Sequence, residues 1–331
     1  MFEFPVLLGD IGGTNARFWV LEERGAEPRG LSHEPTRGHP DVSTAIRAAL
    51  EKGGSPRTRS AVLAIAGRVD APSVQLTNAE WTIAAARIGD DFDLSRVVVV
   101  NDYVPVAAGA AGIAPGDLSP IGGATNPGRG ARLVLGPGTG FGAAALVPYE
   151  ERLAIVSTEA GHTDFGPVDD EDFEIWSGIA RLDGRVTVEA LLSGPGLARL
   201  HAAVRRVRAG GDGSPLDPAR ITETGLSGED PHADHAIRLF SKYLGRVCGD
   251  LALTFLATGG VYIGGGIAPR ILKVLNDGTF RKTFEHKPPF AEMMRGIPTS
   301  VITVHDPALN GLAALASEGD RFIYHGQHWQ G

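Results

Sequence analysis

The chain has 331 residues, of which 43% are hydrophobic and 21% charged, and a formal net charge of −8. That length admits two domains with separate cores, and the composition is that of a globular protein. The acidic balance argues against nucleic acid as the main partner, because such binders need a positive surface.

The single cysteine, Cys248, excludes a disulfide framework and a cysteine-based zinc site. Its neighbours Leu244, Val247 and Leu251 predict a buried helix face. No apolar run approaches the roughly 18 residues of a membrane span. Met1-Phe2-Glu3-Phe4-Pro5-Val6 runs into the first strand without a charged leader or cleavage site, so a cytoplasmic protein is expected.

Strands are predicted at residues 5–10 and roughly 14–21, around the glycine turn of Leu7-Leu8-Gly9-Asp10-Ile11-Gly12-Gly13-Thr14-Asn15-Ala16-Arg17-Phe18. Residues 40–50 have helical spacing with Asp41 or Pro40 near the start, and Gly53-Gly54-Ser55-Pro56 ends them. The apolar runs 61–67 and 94–100 suit strands covered on both faces, so a sheet with helices against it is expected. The glycine- and proline-rich stretch 109–130 reads as a domain crossing.

The pattern then restarts with Leu133-Val134-Leu135-Gly136-Pro137-Gly138-Thr139-Gly140-Phe141-Gly142, a second glycine turn on the same plan. Two related α/β domains facing each other across a cleft are expected. Helices are predicted at 195–208 and 233–258, with polar loops at 210–215 and 225–231. The end of the first helix, Arg205-Arg206-Val207-Arg208, reads as solvated. A third glycine cluster, Gly264-Gly265-Gly266, follows a strand, and residues 307–316 form a last apolar helix; the tail from Asp320 gives little signal.

The two turns expose backbone N–H groups and carry no Cβ to hold a ligand away, which suits phosphate. Either turn alone is equally an ordinary hairpin. Asp10 at the lip of the first turn can hold Mg²⁺ through water, or can bond to the turn's own N–H groups. Asp102 follows Val97-Val98-Val99-Val100-Asn101, where an open α/β sheet gathers ligands at strand ends. Its competing role is N-cap of the following alanine-rich segment. With the flanking turns, a catalytic base is the better reading.

Glu159 and His162, three apart on a glycine-containing loop, can both address one small polyol. Glu189 alone reads as a dipole partner in a short helix. Gly264-Gly265-Gly266 admits a flat ligand such as adenosine or makes a tight turn. His232 with His235, and His325 with His328, approach metal spacing without an evident third ligand.

Taken in order, Leu8-Gly9-Asp10-Ile11-Gly12-Gly13-Thr14-Asn15-Ala16-Arg17, Asn101-Asp102, Gly136-Pro137-Gly138-Thr139-Gly140, Glu159-Ala160-Gly161-His162, Val188-Glu189 with Leu192-Ser193-Gly194-Pro195-Gly196-Leu197, and Gly264-Gly265-Gly266-Ile267 resemble the bacterial glucokinase family of the actin-like sugar-kinase superfamily. Without a cysteine cluster after His162, the chain resembles the zinc-free branch rather than the ROK (repressor and kinase) branch.

The resemblance implies two actin-like (ribonuclease H-like) α/β domains with a ligand cleft between them. The smaller would comprise 1–112 plus about 308–331, and the larger 113–307. It implies a homodimer that phosphorylates D-glucose from ATP with Mg²⁺, the metal held through water at Asp10. Asp102 would be the base. Asn101, Asp102, Gly138, Glu159, His162 and Glu189 would bind sugar. Gly9, Asp10, Gly12, Gly13, Thr14, Asn15, Gly138, Thr139, Gly264, Gly265 and Gly266 would bind ATP.

Alternatives are a kinase for another hexose or amino sugar, and a non-catalytic sugar-sensing regulator. A DNA-binding repressor would need a helix pair that the short stretch before the first strand does not hold.

Overall fold

The computed structural model describes residues 1–76, 79–211 and 214–331. Asp212 and Gly213, within the polar loop expected at 210–215, lie outside the described residues.

In chain order the elements begin with β1 (Val6–Ile11), β2 (Asn15–Leu21), β3 (Arg29–Pro35), α1 (Val42–Lys52), β4 (Ser60–Ile65), β5 (Val74–Gln75), β6 (Thr82–Ile83), α2 (Ala85–Phe92), β7 (Arg96–Asn101) and α3 (Tyr103–Ala110). They continue with β8 (Leu118–Ile121), β9 (Arg132–Pro137), β10 (Phe141–Tyr149), β11 (Arg152–Thr158), α4 (Asp170–Trp176), α5 (Val188–Leu191), α6 (Gly194–Ala209), α7 (Pro218–Ser227) and α8 (Pro231–Thr254). The last are β12 (Val261–Ile263), α9 (Leu272–Leu275), α10 (Thr279–Glu285), α11 (Ala291–Arg295), β13 (Thr299–Ile302), α12 (Pro307–Ser317), β14 (Phe322–Tyr324) and β15 (Gln327–Gln330).

The chain divides into two compact units: residues 1–113, 146–157 and 304–331 form the first, and 114–145 with 158–303 form the second. The hairpin of 146–157 therefore belongs with the first unit, whereas the sequence division assigned it to the larger domain. It is an excursion of a strand that begins in the second unit, which the pattern of 141–149 does not signal.

The first unit holds a six-stranded sheet in the order β15-β7-β4-β1-β2-β3. Its three central strands run parallel, with Ile11 opposite Ile65 and Ile65 opposite Asn101, so their carboxyl ends are level. β4 and the four valines of β7 are fully buried, as strands covered on both faces require. Leu7, Ile11, Phe18, Ile46, Leu63, Trp81 and Ile88 are among the residues of this core. Helix α1 starts where Asp41 accepts the Thr44 N–H, and α12 packs on α3 through close backbone approach at Gly109 and Gly311.

The tail is structured. β15 pairs antiparallel with β7, Gln327 opposite Val99, and the buried Gln327 side chain ties the Ala85 N–H to the Ala71 carbonyl. Likewise, the stretch read as a crossing contains the end of α3 and strand β8.

The second unit repeats the plan with the order β10-β9-β12-β13-β8, in which β9, β12 and β13 are parallel and β8 antiparallel. Its core centres on α8, whose buried face carries Phe240, Tyr243, Leu244 and Cys248 against Phe280 and Phe284 of α10. Among the described residues no helix is long and apolar enough to cross a membrane.

Candidate active site

In the first unit the site residues gather at the carboxyl end of the sheet. The glycine turn closes by a 2.9 Å bond from the Gly12 N–H to the Asn15 carbonyl. Thr36 braces it, its hydroxyl donating to the Gly13 carbonyl and its N–H to the Thr14 carbonyl. Thr14 and Asn15 are exposed at the tip. Gly9 lies deeper and is buried within β1, where a Cβ would meet Leu63 at 2.6 Å and Phe18 at 3.2 Å. Packing accounts for that glycine.

Asp10 does not bond to the turn; its carboxylate pairs with Arg17, whose other arm reaches Asp306 at 2.9 Å. Asp306 also caps α12 by accepting the Leu309 N–H. Burial alone would lower the Arg17 pKa, but the hydrogen bond to Asp10 and the charges of Asp10 and Asp306 raise it, so the guanidinium stays charged. This carboxylate–guanidinium–carboxylate chain is the feature that sequence reasoning missed. Its one local signal was Asp306-Pro307, an N-cap followed by proline at the first helical position.

Two strands from β1, Val100 shares the row of Asp10 and Asn101 that of Ile11, about 10 Å across at the usual strand spacing, and Asp102 follows directly. Asp102 donates its backbone N–H to the Ile65 carbonyl at 2.9 Å and occupies the N-cap position of α3. Its backbone is helical rather than extended, and its side chain makes no capping hydrogen bond. Asn101 supplies the cap instead: its Oδ1 accepts the Tyr103 N–H at 3.0 Å while its Nδ2 donates to the Gly67 carbonyl at 3.1 Å. The competing capping role of Asp102 is therefore carried by its neighbour. The Asn101 amide keeps one N–H and one lone pair beyond these two bonds.

In the second unit the start of β10 is the hub. The glycine turn closes through the Gly138 N–H to the Gly140 carbonyl, and the Gly194 N–H reaches the Gly138 carbonyl, both at 2.8 Å. The Glu189 carboxylate accepts the Phe141 N–H at 2.8 Å, beyond the dipole role its position in α5 suggests. On the opposite side Gly161 packs against the Phe141 carbonyl so closely that a Cβ would overlap it.

Glu159 and His162 flank that contact with side chains 47% and 62% exposed and 3.9 Å apart, open to a ligand rather than locked to each other. The Arg185 guanidinium holds the His162 carbonyl at 2.9 Å. The second glycine turn, Glu159, His162 and Glu189 thus form one group.

The third glycine cluster joins this turn from below. Gly265 has φ +83° and a Cβ there would overlap the Pro137 carbonyl; a Cβ on Gly136 would overlap the Gly264 carbonyl. These glycines serve the close approach of β12 to β9. Gly138 and Gly266 instead face open space, with nothing within 4 Å of a built Cβ, and Thr139 between the turn glycines is exposed. Backbone can meet a ligand there.

His232 lies at the start of α8, and His235 bonds Glu171 at 3.0 Å. Among the described residues no group of three or more His, Cys, Asp or Glu is arranged to hold a metal. A cation held through water and substrate phosphates needs less, and the partly exposed oxygens of Asp10 are the hard donors that Mg²⁺ takes.

Two α/β units, each with a glycine turn on a mixed sheet beside carboxylates, define a sugar kinase of the actin-like fold. Solved structures agree. A glucokinase from an Antarctic psychrotroph is 31% identical, with a TM-score of 0.82 over 96% of this chain and 100% of that one. A ROK family glucokinase from Streptomyces griseus, solved with glucose and AMPPNP, shares the fold at a TM-score of 0.65 and 21% identity, covering 95% and 99%.

The family model described as Glucokinase matches residues 7–319. The glucokinase of Brucella abortus is 41% identical over 99% of this chain and 96% of its own, and that of Allorhizobium ampelinum is 40% identical over the same shares. The chain belongs to the glucokinase family.

Proposed function

We propose that this chain transfers the γ-phosphoryl group of ATP to the primary hydroxyl of D-glucose, with Asp102 as general base. The observation that carries the reading is the place of Asp102 directly after the carboxyl end of β7, a parallel strand of the sheet that carries the first glycine turn, with the cap of α3 supplied by Asn101. The Asp102 carboxylate takes the hydroxyl proton as that oxygen forms its bond to the γ-phosphorus. The bond from the γ-phosphorus to the bridging oxygen breaks, and ADP leaves with that electron pair. Catalysis comes mainly from positioning and charge stabilisation.

Glu159, His162 and Glu189 hold sugar hydroxyls, with Asn101 offering its remaining amide N–H. Open backbone at Gly138 and Gly266, with the exposed tips at Thr14, Asn15 and Thr139, receives the nucleotide. Mg²⁺, when bound, neutralises phosphate charge, and Asp10 is the residue to hold it through water. A homodimer in solution is part of the same reading.

The test is Asp102→Ala and Asp102→Asn in a coupled assay of ADP release. A general base contributes about 10² to 10⁴ in rate, so kcat should fall by at least that factor while glucose binding weakens less. Near-normal turnover in either variant removes Asp102 from the role. A hexose panel in the same assay separates glucose from other sugars.

A further inference from the structure

We infer that the first unit carries a second ligand site, for a phosphate-bearing dianion, away from the residues assigned to catalysis. A cavity of about 500 Å³ is lined by Arg24, Arg96, Arg152 and Arg321 together with His328, against two carboxylates, Glu318 and Asp320. In a chain of net charge −8, four guanidiniums around one cavity are a local reversal of sign.

Only one arginine is matched within the cavity, which leaves three guanidiniums facing the single carboxylate of Asp320. Glu318 is taken by Arg321 at 2.8 Å. Arg96 lies 4.7 Å above the Phe2 ring and Arg152 donates to the Phe322 carbonyl at 3.0 Å; among the described residues neither these two nor Arg24 forms an ion pair. Unpaired like charges gathered in a concave site repel one another, and an anion that bridges them removes the cost. Planar guanidiniums match phosphate oxygens in pairs. Phe2 and the stacked Tyr324–His328 pair, with centroids 5.7 Å apart, add apolar wall for the organic part of an ester. The volume suits a sugar phosphate or a nucleoside monophosphate, in the range of ordinary small-molecule sites.

The cavity stands at the far ends of two elements already described. Arg96 opens β7, which finishes at Asn101, and Ser317 closes α12, which Asp306 caps at its start.

The test is calorimetric titration of the full chain held with saturating glucose and a non-hydrolysable ATP analogue, so that the catalytic residues are occupied. The titrants are inorganic phosphate, a hexose 1-phosphate and a nucleoside monophosphate. Binding should appear, weaken with added salt, and fall about tenfold or more in Arg24→Gln and in Arg96→Gln. Arg24 is exposed, so R24Q should melt like the parent, and it decides the matter if R96Q does not fold. Tighter binding of one ester identifies its source, and equal affinities identify bare phosphate as the recognised group. No binding at millimolar titrant, or binding unchanged in R24Q and a folded R96Q, overturns the site.

Discussion

The Glu189 carboxylate holds the Phe141 N–H at 2.8 Å, so an acid in a short helix fixes the exit of the second glycine turn. Gly140 makes the contact feasible, because a Cβ there would sit 2.5 Å from Glu189 Oε2. Glu189→Ala should lose the charge-assisted bond, about 1.5–3 kcal/mol, and raise the KM for glucose. Glu189→Gln, which keeps an acceptor, should lose less. Gly140→Ala should resemble Glu189→Ala, in melting temperature and in KM, by pushing the carboxylate away. An alanine at 140 that left both parameters unchanged would contradict this geometry.

Arg17 stands between Asp10 and Asp306. Arg17→Met leaves two carboxylates on one partly buried edge without their shared cation. The expected loss is on the order of 1 kcal/mol, discounted for the solvent that reaches all three groups, or about 2–4 °C in melting temperature. Arg17→Lys should restore part of it. Thermal denaturation of the three proteins at low and high salt checks this, and salt should narrow the differences.

Glu34 is only 1% exposed and supports the loop that braces the first glycine turn. Burial alone would raise its pKa, but hydrogen bonds from Lys52, Ser32 and His39 outweigh burial and bring it to about 2 from an ordinary 4.5. A carboxyl depressed on folding contributes stability that is full above about pH 4.5 and lost as pH falls toward about 2. Glu34→Gln should therefore be less stable than the parent at pH 7, with the gap closing between pH 4.5 and 2. Urea denaturation across that range measures it; a gap independent of pH would refute the linkage.

Cys248 is fully buried on α8, and burial raises its thiol pKa. It should resist iodoacetamide in the native protein and react only as the second unit unfolds. Mass spectrometry after timed labelling, with and without denaturant, reads the result.

Much of this was legible because each signal was local. Glycine turns, valine runs and the cap at Asp41 depend on near neighbours, and their strands and helices lie where the spacing puts them. What escaped was long-range. Nothing around Asp306 says that Arg17 is its partner, 289 positions away. Nothing in Gln327-His328-Trp329-Gln330 says which strand it will join. The glycines also divided only in three dimensions: Gly9, Gly136 and Gly265 answer to packing, Gly138 and Gly266 to open space.

The pairing of β15 with β7 has a consequence for biosynthesis. While the ribosome is still making residues 102–326, the valine strand that leads to Asp102 has one flank without its neighbour. An apolar edge left bare for that long is a template for association between nascent chains. Messages truncated shortly before codon 327 should thus yield aggregates rather than soluble, weakly active protein.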